Sequence, residues 1–432
     1  MSAPKPKHDH ASLKFPEGFL WGAATSAHQV EGGNIYNDWW AWEQTGPEEL
    51  RSGKAADQYN RYEEDFGWAQ SLGHNSHRLS IEWSRIEPEE GKFNQAEIEH
   101  YKKVLKSLKD RNIKVMLTLW HFTLPKWVAD KGGWENDKTI NYFAKFTEKI
   151  VPELKDYVDF WITINEPGVV IFQSYILGVW PPLKRSKLAV VKAYWNMASA
   201  HKKTYKIIHK LVPNAQVGIA HNVFSFDAFH HHSILEGIAV WGCDIITNHL
   251  FYKLTGMKTH DFLGINYYIN QYISFNSKKR FPSIVDISLT KKDVSDMGWE
   301  IYPEGIFDLL MDFSDYHKPM YITENGLATT NDDRRVRFVL SYLKEIYHAI
   351  QAGADVKGYF HWSLMDNFEW HLGFSPRFGL IEIDFQTQKR SPRPSAYIYR
   401  QIIEHNGIPH DLLKLLGHGI QVEDILKEKV EE

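Results

Sequence analysis

The chain has 432 residues, 43 % of them apolar, which is enough for a large core and excludes intrinsic disorder. Its 50 basic and 54 acidic side chains give a formal charge of −4, so the chain as a whole has no strong electrostatic footprint for nucleic acid or an anionic membrane. A single cysteine, Cys243, excludes a disulfide framework and any multi-cysteine metal site, and reads as a packed apolar residue rather than a nucleophile.

In chain order, Met1 to His10 is a polar, proline-containing leader without the apolar core of a secretory signal. No run of 18 apolar residues follows anywhere, so no transmembrane helix is expected and the protein is read as cytoplasmic. Short β-branched or aromatic runs begin near Phe19, His74, Ile113, Asp159, Ala215, Phe262, Met320 and Val356. Each is followed by a longer amphipathic stretch. Between the second and third runs, Asn94 can cap a helix and Glu97 can reach back to that cap. Ile98, Tyr101, Leu105 and Leu108 then share one helical face, and Asn112 is a stop signal. Eight strand–helix units predict an α/β fold, a single closed (β/α)8 TIM barrel with long βα loops. The alternative, an open doubly wound sheet, would carry a glycine-rich phosphate turn after an early strand. The first run here ends instead in Thr25-Ser-Ala-His-Gln-Val-Glu31. His230-His231-His232 reads as a solvated loop, and the charged tail from Gly417 to Glu432 as a surface helix or frayed end.

Barrels of this kind place their chemistry at the C-terminal ends of the strands. The first run ends at Gln29 and Glu31, the second carries Arg78 and leads to Glu82, and the third ends at Trp120-His121. The fourth ends at Asn165-Glu166-Pro167, the fifth at His221-Asn222 and the sixth at Asn266-Tyr267-Tyr268. The seventh ends at Glu324-Asn325-Gly326, and the eighth at Trp362-Ser363, with Glu369-Trp370 close behind. Glu166 and Glu324 stand out, because a carboxylate in a dry strand end is costly unless paired or protonated. Two of them on one rim, with amides, an arginine and tryptophans, suit glycoside hydrolysis. One protonates the leaving oxygen, and the other attacks or activates water.

These residues resemble glycoside hydrolase family 1, the β-glucosidase family. The resemblance rests on Phe15 to Gly32, Arg78-Leu-Ser-Ile-Glu-Trp-Ser-Arg-Ile86, Leu119-Trp-His-Phe-Thr-Leu-Pro125 and Trp161-Ile-Thr-Ile-Asn-Glu-Pro167. It continues through Asp261 to Tyr268, Tyr321-Ile-Thr-Glu-Asn-Gly326 and Trp362 to Trp370, covering about residues 14–405 of one catalytic domain, 1–432. It implies a retaining β-glucosidase acting on terminal β-D-glucosyl groups of small β-glycosides and oligosaccharides. Side activity on galactosides and fucosides, and transglycosylation, are further implications. Glu166 would be the acid/base and Glu324 the nucleophile, flanked by Arg78, Tyr268 and Asn266. Gln29, His121, Asn165, Glu369 and Trp370 match residues that hold the nonreducing sugar, and Trp362 matches the platform beneath it. Phe378 belongs to the same binding set. Trp299 and Asn222 match the leaving-group side. No cofactor, metal, nucleic-acid or membrane partner is expected, and the oligomeric state is not legible.

Relatives often carry a longer insertion between Asn222 and Asp261, so a short loop is expected there. A branch of the family acts on 6-phosphoglycosides with a serine in place of the Glu-Trp pair. Glu369 is therefore expected to repel a phosphate, and Arg377 to make only a loop salt bridge. Two other function classes stand beside the hydrolase. A sugar-binding protein on an inactive barrel would have lost Glu166 or Glu324, and a metal hydrolase needs clustered His/Asp ligands at the strand ends.

Overall fold

Eight parallel strands, each feeding a helix on its outer side, close into one barrel in the computed structural model, which describes residues 13–275, 282–285 and 292–417. The leader before Leu13 and the tail beyond Gly417 lie outside the described residues. The strands are β1 (Leu20–Ala24), β2 (Ser76–Ser80), β3 (Lys114–Trp120) and β4 (Phe160–Asn165), then β5 (Gln216–Ala228), β6 (Leu263–Phe275), β7 (Met320–Asn325) and β8 (Val356–Trp362). Neighbours pair in sequence order, and β8 returns to β1, with Trp362 opposite Ala24. Every predicted run is therefore a barrel strand. The outer layer includes α1 (Gln58–Ser71), α2 (Gln95–Asp110), α3 (Lys138–Leu154), α4 (Lys187–Leu211), α5 (Ile234–Asp244), α6 (Leu250–Thr255), α7 (Glu304–Ser314), α8 (Asp332–Gln351) and α9 (Pro394–His405). No helix among the described residues is long and apolar enough to cross a membrane.

α2 shows how the pattern becomes packing. Asn94 Oδ1 accepts from the N–H groups of Ala96 and Glu97, and Asn112 leaves the helix at φ 57°. Ile98, Tyr101, Leu105 and Leu108 are all buried against the barrel. Each such side chain contributes about 1.5–3 kcal/mol. Glu97 does not return to the cap. It accepts from the Tyr59 hydroxyl at 3.0 Å, because α1 packs close enough to offer a better donor.

Two departures matter for the site. β5 and β6 are 13 residues each and stay paired above the barrel wall, Phe224 opposite Ile269 and Ala228 opposite Ile273. The expected short loop after Asn222 is therefore a projecting strand pair followed by a helical rod that begins at α5. Cys243, on that rod, is only half-buried, since α5 stands outside the main core. His231 and His232 are exposed as expected, while His230 Nδ1 pairs with Glu236 at 2.8 Å.

Candidate active site

The register brings the strand ends to one level: Arg78 opposite Ala24, Asn165 opposite Ala220, and Asn266 between Asn222 and Glu324. Glu324 leaves β7 at a position that Gly326 makes possible, because a Cβ on Gly326 would run into the Trp362 carbonyl. One Glu324 oxygen accepts from Arg78 Nη1 and the other from the Tyr268 hydroxyl at 2.7 Å. Arg78 also reaches the Thr323 carbonyl at 3.1 Å and Asn165 Oδ1. Glu324 is 4 % exposed, so its charge is neutralised locally rather than by water.

Glu166 sits in a different environment. It occupies the left-handed region at φ 43°, where the chain turns from β4 into a short helix opened by Pro167. Its contact is with a neutral donor, Asn266 Nδ2 at 2.8 Å, and Thr323 Oγ1 holds the other end of that amide at 2.6 Å. Burial raises the Glu166 carboxyl well above its ordinary range, and the charge of Glu324 raises it further. The two carboxyl groups thus sit in opposed environments: Glu324 against an arginine, Glu166 in a dry pocket that favours its protonated form.

The other predicted residues surround this pair. Gln29 accepts from Ser26 Oγ at 2.6 Å and donates to the Phe368 carbonyl at 3.0 Å and Glu369 Oε2 at 3.3 Å. Asn165 Nδ2 donates to His121 Nε2 at 3.2 Å, which assigns the His121 proton to Nδ1. That Nδ1 is buried without a partner, a donor waiting for a ligand oxygen. Burial and the Arg78 charge hold the His121 pKa well below the usual value, so the ring is neutral. His121 lies parallel to both Trp362 and Trp370, each at 6.2 Å between centroids. Trp299, half-buried, and Phe378 join through the Tyr268 ring, at 5.6 and 6.3 Å. Asn222 Oδ1 is a second buried orphan, beside Gly168. A cavity of about 130 Å3 opens beside Trp299 and is lined by Asn270, Tyr272 and Glu300.

Three strand-end residues turn away from this cluster. Glu31 accepts from Tyr101 at 2.8 Å and Arg85 at 2.9 Å, and Glu82 from Thr123 at 2.9 Å. His221 Nε2 is 2.9 Å from the Thr247 carbonyl, on the helix side of β5. Arg377 pairs with Asp366 at 3.3 Å and lies over the Phe385 ring, so it is a loop anchor as expected. Glu369 differs from expectation. Burial, then the Glu324 charge, raise its carboxyl to about 8, so in the free protein at neutral pH it is largely protonated. It can donate as well as accept, and repulsion of a phosphate falls chiefly to Glu324. The sequence reading missed the aromatic wall behind Trp370, formed by Trp39, Phe122 and Trp180. Only the density of tryptophan signalled it.

One group among the described residues offers metal-ligand spacing: Asp244, His249 and Asp312, on the outer wall away from the strand ends. His249 Nε2 lies 3.3 Å from Asp244 and 2.8 Å from Asp312. Hydrogen bonds to those carboxylates raise it to about 9. It is a charged clamp between elements.

A model of Glycosyl hydrolase family 1 matches residues 11–233 and 246–408. The β-glucosidase A of Acetivibrio thermocellus is 34 % identical over 449 residues, covering 92 % of this chain and all of that one. The β-glycosidase from Pyrococcus horikoshii is 38 % identical, with a TM-score of 0.87 over 95 % of this chain and 99 % of that one. A 6-phospho-β-galactosidase of Staphylococcus haemolyticus is 32 % identical over 91 % of this chain and 99 % of its own length.

Proposed function

The chain belongs to Glycosyl hydrolase family 1, and from that premise we propose that it is a retaining β-glucosidase with Glu324 as nucleophile and Glu166 as acid/base. The observation that supports this most is the electrostatic contrast between two buried carboxyl groups on one rim. Glu324 attacks the anomeric carbon while Glu166 gives its proton to the leaving oxygen. Forming the glycosyl ester removes the negative charge of Glu324. One of the causes that keep Glu166 protonated is then gone, and it can take a proton from the incoming water. Arg78 and Tyr268 hold Glu324 in place for attack, and Asn266 orients Glu166.

A glucosyl ring bound over Trp362 meets the His121 Nδ1 donor, the Asn165 amide, Gln29 and Glu369. The leaving group lies toward Trp299, Phe378 and Asn222. The substrate class is small unphosphorylated β-glycosides, including short oligosaccharides such as cellobiose. Arg377 is engaged with Asp366, and a phosphate would face the Glu324 charge in a dry site. A single catalytic barrel carries the activity, and its lone cysteine fits a reducing, cytoplasmic setting. Proton NMR of fresh hydrolysate tests the mechanism. The β-anomer should appear first, and an α-anomer would refute retention. Comparing kcat/KM for an aryl β-glucoside and its 6-phosphate tests the substrate class. Equal or better use of the phosphate would overturn it.

A further inference from the structure

α5 is built inside out. Its one buried residue is an acid, Glu236, which accepts from the Phe275 N–H at 2.9 Å and pairs with the His230 ring. Its apolar residues face outward: Ile234, Ile238 and Trp241 are 80, 60 and 65 % exposed. The rod continues through Ile245–His249, where Ile246 is 61 % exposed, into α6. α4 lies alongside. The Tyr194 ring meets Phe251 at 5.2 Å, and Lys202 donates to the Leu254 carbonyl at 3.1 Å. On α4, Leu188, Val191 and Trp195 are 65, 65 and 55 % exposed. Each of these outward-facing side chains is more than half exposed, and so many of them along adjoining helices mark an interaction surface rather than ordinary scattered exposure. Residues 234–245 fall between the two spans matched by the family model, so the family pattern does not demand this helix.

Charge decides what covers the face. No aspartate or glutamate occurs between Gly178 and Phe226, in a chain whose net charge is −4. Lys184, Arg185, Lys187 and Lys192 are all exposed around the start of α4. Lys184 pairs with Glu135, while Asp244 and Asp312 are engaged by His249. A second copy docked about a two-fold axis would need an acidic patch opposite this basic rim, and the nearby acids Glu135, Asp244 and Asp312 already have partners. An anionic bilayer complements it, and tryptophan rings suit the headgroup depth. We propose that the α4–α5 face docks the enzyme on the surface of an anionic lipid bilayer. The apolar side chains enter the headgroup–acyl boundary and the basic rim lies over the lipid phosphates, without any spanning helix.

Sedimentation of the full chain with vesicles tests this, using phosphatidylcholine alone and phosphatidylcholine with about one third phosphatidylserine. The chain should sediment with the anionic vesicles and much less with the neutral ones. Ile238→Glu/Trp241→Glu should weaken that binding at least about tenfold. Lys187→Glu/Lys192→Glu should weaken it several-fold. Both variants should keep kcat/KM on a soluble aryl glucoside, since neither touches the strand ends. No sedimentation, no preference for anionic vesicles, or unaltered binding by the variants would overturn the proposal. So would a dimer in vesicle-free ultracentrifugation that Ile238→Glu/Trp241→Glu abolishes, which would assign the face to a second copy. Failure to hydrolyse glycosides would strike the glucosidase reading and leave the vesicle result standing.

Discussion

Removing the charge of Glu324 should lower the pKa of Glu166. Glu166 lies well above the ordinary carboxyl range for two main reasons, burial first and the Glu324 charge second. Glu324→Gln removes the second and leaves the first. Two like charges in a dry site repel, so removing one favours the ionised form of the other. Asn266 still donates to Glu166 at 2.8 Å in the variant, and the pocket stays dry, so the carboxyl should remain above its ordinary value. Carbon NMR of protein labelled at the glutamate carboxyl carbons reads this directly. Comparing Glu324→Gln with Glu324→Gln/Glu166→Gln assigns the resonance. The same fall should occur in the glycosyl-enzyme, where it converts an acid into a base. A change under about half a unit, or a rise, would mean that burial alone sets Glu166 and that the carboxyl groups are not coupled as the mechanism requires.

Glu324→Gln should also remove all but about one part in a thousand of kcat while the barrel stays folded, as expected for loss of a nucleophile. Circular dichroism with an aryl glucoside assay checks both, and retention of a few per cent of kcat would sink the assignment. Glu166→Ala should slow deglycosylation more than glycosylation on an activated aryl leaving group. Azide should restore the rate and yield a β-glycosyl azide, and an azide-independent rate would exclude the acid/base role. For Glu369, the native carboxyl titrates near 8 and the unfolded one near 4.5, so between those values the unfolded state binds fewer protons. Its contribution to stability is therefore present below about pH 4.5 and is lost as pH rises toward 8. Glu369→Gln should gain about 1–3 kcal/mol over wild type between pH 5 and 8.5, a range discounted for its partial exposure. Denaturant unfolding at both pH values decides, and a constant difference between the proteins would refute it.

What the sequence made legible was the rhythm, and what it hid was direction. All eight strand starts could be read because a buried parallel strand is a short apolar run, and such runs are hard to disguise between amphipathic helices. The turn chemistry after Glu166 and Glu324 could be read for the same local reason. Glu31 and Glu82 look equivalent in one dimension, yet both serve hydrogen-bond networks behind the rim. Parity along a strand explains part of this. His221 and Asn222 are adjacent, so they point to opposite faces, and only Asn222 enters the site. Which face is inner depends on barrel closure, a non-local fact. Protonation is hidden more deeply still. Glu369 reads as a charge, and only its burial beside Glu324 makes it largely neutral at neutral pH. The His121 tautomer depends on an amide that arrives from the next strand. α5 is the strongest instance. Its composition reads as core, but the one acid it carries is drawn inward by the Phe275 N–H and the His230 ring. Once Glu236 is fixed inside, helical geometry turns Ile234, Ile238 and Trp241 outward. A core-like helix thus becomes exposed surface because of a single buried hydrogen-bonding residue, and no periodicity argument made along the helix alone could have assigned its two faces correctly.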